Sequence, residues 1–198
     1  MVYEICEIFY SIQGEGINQG KPFVFVRFSG CNLRCSWCDT KYAWRKGEKM
    51  DVEEIIRRVK GFGCRDVLLT GGEPFLQDIT FLVESLREEN MRVSVETNGT
   101  IWRDIKFDWI TVSPKPAGKR YHEMGYDLRF RDIADEFKYV ITSQQDFNFI
   151  DRNIKCPVIL QPVDNNIEIG RKIVDFIKKE KRENFYLKFQ IHKFLGIK

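Results

Sequence analysis

The sequence predicts an α/β fold: an open, partial β/α barrel of roughly six parallel strands with additions at its N- and C-terminal ends. Three observations predict it. Apolar strand-like runs alternate with amphipathic helical segments, the pattern of a parallel sheet built with right-handed crossovers. A chain of 198 residues holds too few such steps to close an eightfold barrel. The residues that do not suit a core are also placed alike: a cysteine-rich loop, Gly71-Gly72-Glu73, Glu96-Thr97-Asn98, Ser113 to Lys115 and Gln161 all follow predicted strands. In barrel folds that C-terminal rim carries the chemistry, so one domain over residues 1–198 with one shared site is the expectation.

Tyr3 to Tyr10 is rich in β-formers and opens the chain as a strand. Ser11-Ile12-Gln13-Gly14-Glu15-Gly16 then sets glycines around a carboxylate, the composition of a loop whose backbone approaches something closely. Phe23 to Phe28 is a buried strand interrupted by Arg27. A guanidinium there needs a protein carboxylate or an anionic ligand, and the strand alone leaves both open. Asp51 followed by Glu54 and helically spaced apolar residues predicts a capped helix. Asp66 to Thr70 is a short strand running into Gly71-Gly72-Glu73-Pro74, and a second helix starts near Asp78. Arg92 to Glu96, Trp109 to Val112, Phe137 to Ile141, Val158 to Pro162 and Phe185 to Gln190 complete the strands. Ile169, Ile173, Val174 and Ile177 mark a helix before the last of them, while the connections before 137 look shorter than full helices.

Composition limits the function classes. At 43% hydrophobic the chain can bury a core, and a net charge of +3 with 31% charged residues gives no push towards nucleic acid. The start lacks the basic and apolar regions of a signal peptide, and no apolar run is long enough for a bilayer, so a cytoplasmic protein is expected. Six cysteines in a reducing compartment argue for metal thiolates over disulfides. Cys6, Cys64 and Cys156, scattered singly, read as plain core residues.

Cys31, Cys35 and Cys38 are different: they stand at C-x3-C-x2-C spacing. Closed zinc sites take four protein ligands, and here a fourth is missing from the loop. A [4Fe–4S] cluster on three cysteines keeps one iron open, and an open position is what makes a metal site chemical. The alternative is a zinc knuckle completed from elsewhere. Gly71-Gly72 exposes backbone to a ligand and Glu73 offers an anion to an ammonium, although alone the stretch could be a tight turn.

The triplet resembles the radical S-adenosylmethionine (radical SAM) superfamily, and Gly71-Gly72-Glu73-Pro74 resembles its methionine-binding motif. The resemblance implies a cluster on Cys31, Cys35 and Cys38, and SAM contacts from Asp39, Gly72, Glu73, Ser113, Lys115 and Gln161. Within it, Ser11 to Gly16, Arg27, Cys38-Asp39-Thr40 and the closing Gln190 to Lys198 resemble the 7-carboxy-7-deazaguanine synthase family. That family converts 6-carboxy-5,6,7,8-tetrahydropterin to 7-carboxy-7-deazaguanine with loss of ammonia, on the route to deazapurine nucleosides such as queuosine and archaeosine. The likeness implies Mg²⁺ at Thr40, a homodimer, and an electron donor such as flavodoxin or ferredoxin. It also implies substrate contacts from Ile12, Gln13, Gly14, Glu15, Gly16, Arg27, Thr70, His192 and Lys198, with the C-terminal segment folding into the site. The chemistry is compatible. A pterin edge of N–H donors needs acceptors, and a guanidinium suits its carboxylate. Hydrogen abstraction at pterin C6 would start a magnesium-assisted ring contraction, with SAM acting catalytically.

Two rivals share features. A glycyl-radical activase also carries Cys-Asn-Leu-Arg-Cys-x-x-Cys, but would act on a protein and need neither Gln13-Gly14-Glu15 nor His192. A non-enzymatic metal-binding module would hold tetrahedral zinc, with Lys178-Lys179-Glu180-Lys181-Arg182 as an RNA contact. Cations at a helix C-terminus are expected from the dipole alone, so no direct nucleic-acid partner is inferred.

Overall fold

The computed structural model describes residues 1–198. Its strands are β1 (Val2–Ile12), β2 (Pro22–Phe28), β3 (Glu48–Asp51), β4 (Asp66–Gly71), β5 (Arg92–Thr97), β6 (Trp109–Val112), β7 (Glu136–Ile141), β8 (Val158–Pro162) and β9 (Phe185–Leu187). Its helices are α1 (Val52–Gly61), α2 (Thr80–Glu88), α3 (Phe130–Ile133), α4 (Ile167–Glu180) and α5 (Ile191–Leu195). The sheet runs β3-β1-β2-β4-β5-β6-β7-β8-β9, so β3 and β9 are its edges and it is open. Pairing is parallel for β2 with β4, β4 with β5, and along β6-β7-β8-β9. The α/β expectation holds. By contact density the chain forms two compact units. The first comprises Met1–Ser11, Pro22–Thr97 and Ile101–Ile110; the second comprises Ile12–Lys21, Asn98–Thr100 and Thr111–Lys198.

In the first unit β2 reads as an apolar run because both its faces are covered. Val24, Val26 and Phe28 are fully buried, while Phe23 and Phe25 join Leu68 and Phe9 in a second cluster, with Phe9 stacked on Phe25 at 4.8 Å. Asp51 caps α1 by accepting from the Glu54 amide at 2.8 Å, and Ile55 and Val59 turn inward. On α2, which starts two residues beyond Asp78, Leu82 and Leu86 are buried. Strand β3 was not expected. Three of its four residues are charged, and it pairs antiparallel with β1 so that only Met50 is buried. β1 itself continues through Ser11 and Ile12, which sequence reasoning assigned to the following loop.

In the second unit β7, β8 and β9 are in register at Phe137, Val158 and Phe185. Asn166 caps α4 through the Ile169 amide, and Ile173 seals the helix onto the core. Phe147, Phe176 and Phe185 stack at 4.3 and 5.9 Å. The connection before β7 is, as expected, only a 3-10 turn, Pro116–Arg120, and the single turn of α3. The last strand stops at Leu187, short of the expected Gln190. Asn165 captures Gln190 at both backbone groups, accepting from its amide at 2.7 Å and donating to its carbonyl at 2.9 Å, and so draws the chain off the sheet into α5. Cys6, Cys64 and Cys156 are half-buried rather than core residues, and burial pushes the Cys156 thiol up to about 11.

Candidate active site

In the first unit the site grows from two adjacent parallel strands. Arg27 lies opposite Thr70 and Phe28 opposite Gly71, so the loops after β2 and β4 leave the sheet side by side. The Gly72 amide donates to the Phe28 carbonyl at 3.1 Å, and the Glu73 amide to the Gly30 carbonyl at 2.8 Å. A Cβ on Gly72 would lie 1.8 Å from the Gly30 oxygen and 3.2 Å from the Cys31 Cβ, so only glycine lets these loops approach. Glu73 is 0% exposed. It accepts from the Phe75 amide at 3.1 Å, capping the turn Pro74–Leu76, and from Thr97 Oγ1 at 2.7 Å. Thr70 Oγ1 donates to Glu96 at 3.3 Å.

Cys31, Cys35 and Cys38 are half-buried on one loop and none is in a disulfide. The Cys38 amide donates to the Cys35 carbonyl at 3.0 Å, and the Thr40 amide points at Cys38 Sγ at 3.4 Å, a dipole that favours a thiolate. Three soft donors of this kind fit three irons of a [4Fe–4S] cluster. Thr40 Oγ1 donates to the exposed Asp39 carboxylate at 2.9 Å. Arg27 has a protein carboxylate as one partner: Nε donates to Glu7 at 2.9 Å, and Tyr42 OH donates to the same oxygen at 2.8 Å. Burial pushes the Tyr42 phenol up to about 12, with the Glu7 bond adding to it and Arg27 opposing it.

In the second unit the loop 12–21 folds onto the closing segment. The Ile191 amide donates to the Gly14 carbonyl at 3.0 Å, and Gln19 Nε2 bridges the Gly14 and Phe189 carbonyls. The His192 ring lies beneath Gly14, where a Cβ would fall 2.0 Å from Nδ1. Gln13 is buried and accepts from the Glu15 amide at 3.1 Å. Glu15 itself is held by Lys138 on one oxygen and by Gln190 Nε2 on the other. Ser113 Oγ donates to the Lys138 carbonyl at 2.8 Å, and Lys115 Nζ donates to the Ser113 carbonyl at 2.7 Å. Gln161 is 2% exposed and its Oε1 has no hydrogen-bond partner. An orphan amide oxygen in such a place is expensive unless a ligand donor reaches it, which fits a bound amine or hydroxyl. Phe194 to Lys198 are exposed.

The profile of the Radical SAM superfamily matches residues 25–140. The 7-carboxy-7-deazaguanine synthase of Aquifex aeolicus is 35% identical over 97% of this chain and 93% of that protein. The chain belongs to the 7-carboxy-7-deazaguanine synthase family. The synthase of Synechocystis is 32% identical over 99% of this chain and 94% of its own length. The crystal structure of QueE from Escherichia coli superposes with a TM-score of 0.78 at 26% identity, covering 96% of this chain and 94% of that one. The Streptococcus suis SuiB structure, at 15% identity and a TM-score of 0.58, shares the fold. As a radical SAM synthase, the chain is an enzyme whose family implies a [4Fe–4S] cluster and SAM.

Sequence reasoning missed several residues that hold these groups. Glu7 and Tyr42 flank Arg27, and Glu136 and Lys138 anchor the loop at 12–21, whereas Thr97, which holds Glu73, and Gln190, which holds Glu15, fall in stretches the sequence singles out without showing these contacts. One signal was present. Glu136 and Lys138 put two charges on one face of an otherwise apolar strand, the anomaly that singled out Arg27.

Proposed function

We propose that the protein converts 6-carboxy-5,6,7,8-tetrahydropterin to 7-carboxy-7-deazaguanine with release of ammonia, in deazapurine nucleoside biosynthesis. The observation that carries this reading is the Gly14–Ile191 bond with His192 beneath Gly14. The two stretches that separate this family from other three-cysteine enzymes thereby meet in one structure. When bound, the cluster and SAM supply the 5′-deoxyadenosyl radical that starts turnover.

Cys31, Cys35 and Cys38 hold the cluster as thiolates, while Asp39, Gly72, Glu73, Ser113, Lys115 and Gln161 orient SAM. Gln161 Oε1 offers an unused buried acceptor for it. Arg27 has five N–H donors, more than one Glu7 oxygen takes, and can pair with the substrate carboxylate. Ile12, Gln13, Gly14, Glu15, Gly16, Thr70, His192 and the Lys198 carboxylate line the pterin's polar edge. Thr40 would supply one hydroxyl oxygen to Mg²⁺, a hard cation that takes oxygen ligands such as substrate oxygens and waters. The enzyme works as a cytoplasmic homodimer and takes its electron from flavodoxin or ferredoxin. No helix is long and apolar enough to cross a membrane.

The test is an anaerobic assay of iron-reconstituted protein with reductant, SAM, Mg²⁺ and the tetrahydropterin, followed by mass spectrometry. Deazapurine and ammonia with SAM largely unconsumed are expected. Formation of 5′-deoxyadenosine without pterin turnover would sink the substrate assignment.

A further inference from the structure

Strand β7 carries two charged side chains that are almost wholly withdrawn from water, Glu136 at 3% and Lys138 at 5% exposure. They share one face of the strand, and both reach the loop 12–21. Glu136 accepts from the Ile17 amide at 2.7 Å and from Thr111 Oγ1 at 2.9 Å, which fixes the loop's backbone. Lys138 pairs instead with the Glu15 side chain, and Gln190 Nε2 takes the other Glu15 oxygen. Gripping the two oxygens separately fixes the carboxylate plane, and with it the directions in which Glu15 accepts.

Burying an ammonium–carboxylate pair costs desolvation that an apolar pair would avoid while tying the loop down equally well. What the apolar pair could not do is present an ionised acceptor in a fixed plane. We propose that Lys138 is a positioning residue that holds Glu15 charged and aimed at a substrate edge of adjacent ring N–H and amino donors, the edge a pterin offers. This rests on the substrate reading above and deepens it, because it makes the Lys138–Glu15–Gln190 set the element that selects such a heterocycle. Lys138 also serves a second group through its main chain: its carbonyl accepts from Ser113 Oγ at 2.8 Å. A side-chain substitution therefore leaves the Ser113 bond in place, and SAM affinity becomes an internal control.

The experiment measures binding of pterin-6-carboxylate and of SAM to the reconstituted full chain under anaerobic conditions, for wild type, Lys138→Met, Glu15→Gln and the double variant. Loss of a charge-assisted bond corresponds to about 10–100-fold, so Lys138→Met should weaken pterin binding by that factor and SAM binding by less than about threefold. Because Lys138 acts through Glu15, the double variant should bind the pterin no more than about threefold worse than Glu15→Gln alone, the non-additivity of a contacting pair. Should Lys138→Met fail to fold, the double variant, in which neither charge is left unpaired, still makes the decisive comparison with Glu15→Gln. Unaltered pterin affinity in Lys138→Met, equal loss of both ligands, or additive losses in the double variant would overturn the proposal. Wild-type protein that binds SAM but not the pterin would remove the substrate reading, and this proposal with it.

Discussion

The two units assemble their functional groups by different means. In the first, the cysteine loop and Gly71-Gly72-Glu73 follow paired strands, and backbone bonds join them: Gly72 to Phe28 and Glu73 to Gly30. In the second, the groups come from segments distant in sequence and are tied largely by side chains: Glu15 to Lys138 and Gln190, Glu136 to Ile17, and Asn165 to Gln190. A backbone-built site is sensitive to added atoms, whereas a side-chain-built site is sensitive to lost charges and hydrogen bonds.

The largest expected effect is in the first unit and leaves its scaffold alone. Cys38→Ala should abolish cluster binding, read as loss of iron and of the cluster's visible absorbance with unchanged far-UV circular dichroism. Retained iron with full activity would refute the ligand assignment. Next comes a loss of charge in the second unit. Asp151 is 1% exposed and accepts from Tyr126 and from Arg131, whose Nη2 approaches to 2.6 Å. Asp151→Asn should cost about 2–3 kcal/mol in denaturant unfolding, less than a fully buried pair because Arg131 remains 28% exposed. Burial opposes ionisation of Asp151, yet the Tyr126 hydroxyl, the Asn153 amide and Arg131 together hold its carboxyl below the ordinary range. The stabilisation is therefore complete above an unfolded pKa of about 3.9 and disappears as pH falls through the lower folded value. The variant should lack this part of the acid-induced loss.

Gly72→Ala tests the opposite sensitivity. Its Cβ must displace the Gly30 carbonyl, at about 1–3 kcal/mol, and reconstituted iron should fall in parallel with the melting temperature. Unchanged stability would show that the loops are not held by close backbone approach. Smaller still is Tyr42→Phe, about 0.5–1.5 kcal/mol for one hydrogen bond to Glu7, accompanied by loss of a phenol titrating at about 12 in ultraviolet absorbance. The exposed Lys60–Glu89 pair should contribute only about 0–1 kcal/mol, so Glu89→Gln serves as the baseline for all four.

The same contrast explains what could be read before folding. Cys31, Cys35, Cys38 and Gly71 to Glu73 stand out in the sequence because each set lies at short spacing on one loop after a strand. β2 and α1 were legible because their apolar periods match their burial. β3 was not, since an edge strand of charged residues has no period to show. The pairing of Arg27 with Glu7 was half legible: the guanidinium announced a need, but which carboxylate answers it depends on the fold. Lys138 announces the same need within an otherwise apolar strand, and again only the fold shows that Glu15 answers it. The early end of β9 was invisible because Asn165, whose side chain diverts Gln190, precedes it by 25 residues.

The Glu15–Gln190 bond joins residues 175 positions apart, and that separation has a consequence for synthesis. A ribosome adding about 5–20 residues per second makes the loop 12–21 roughly 9–35 s before its partner appears. The cysteine loop needs no such wait, because Gly30 and Glu73 both emerge early. A nascent chain can thus join its cysteine loop to the Gly71-Gly72-Glu73 turn well before the loop 12–21 meets the segment that holds it.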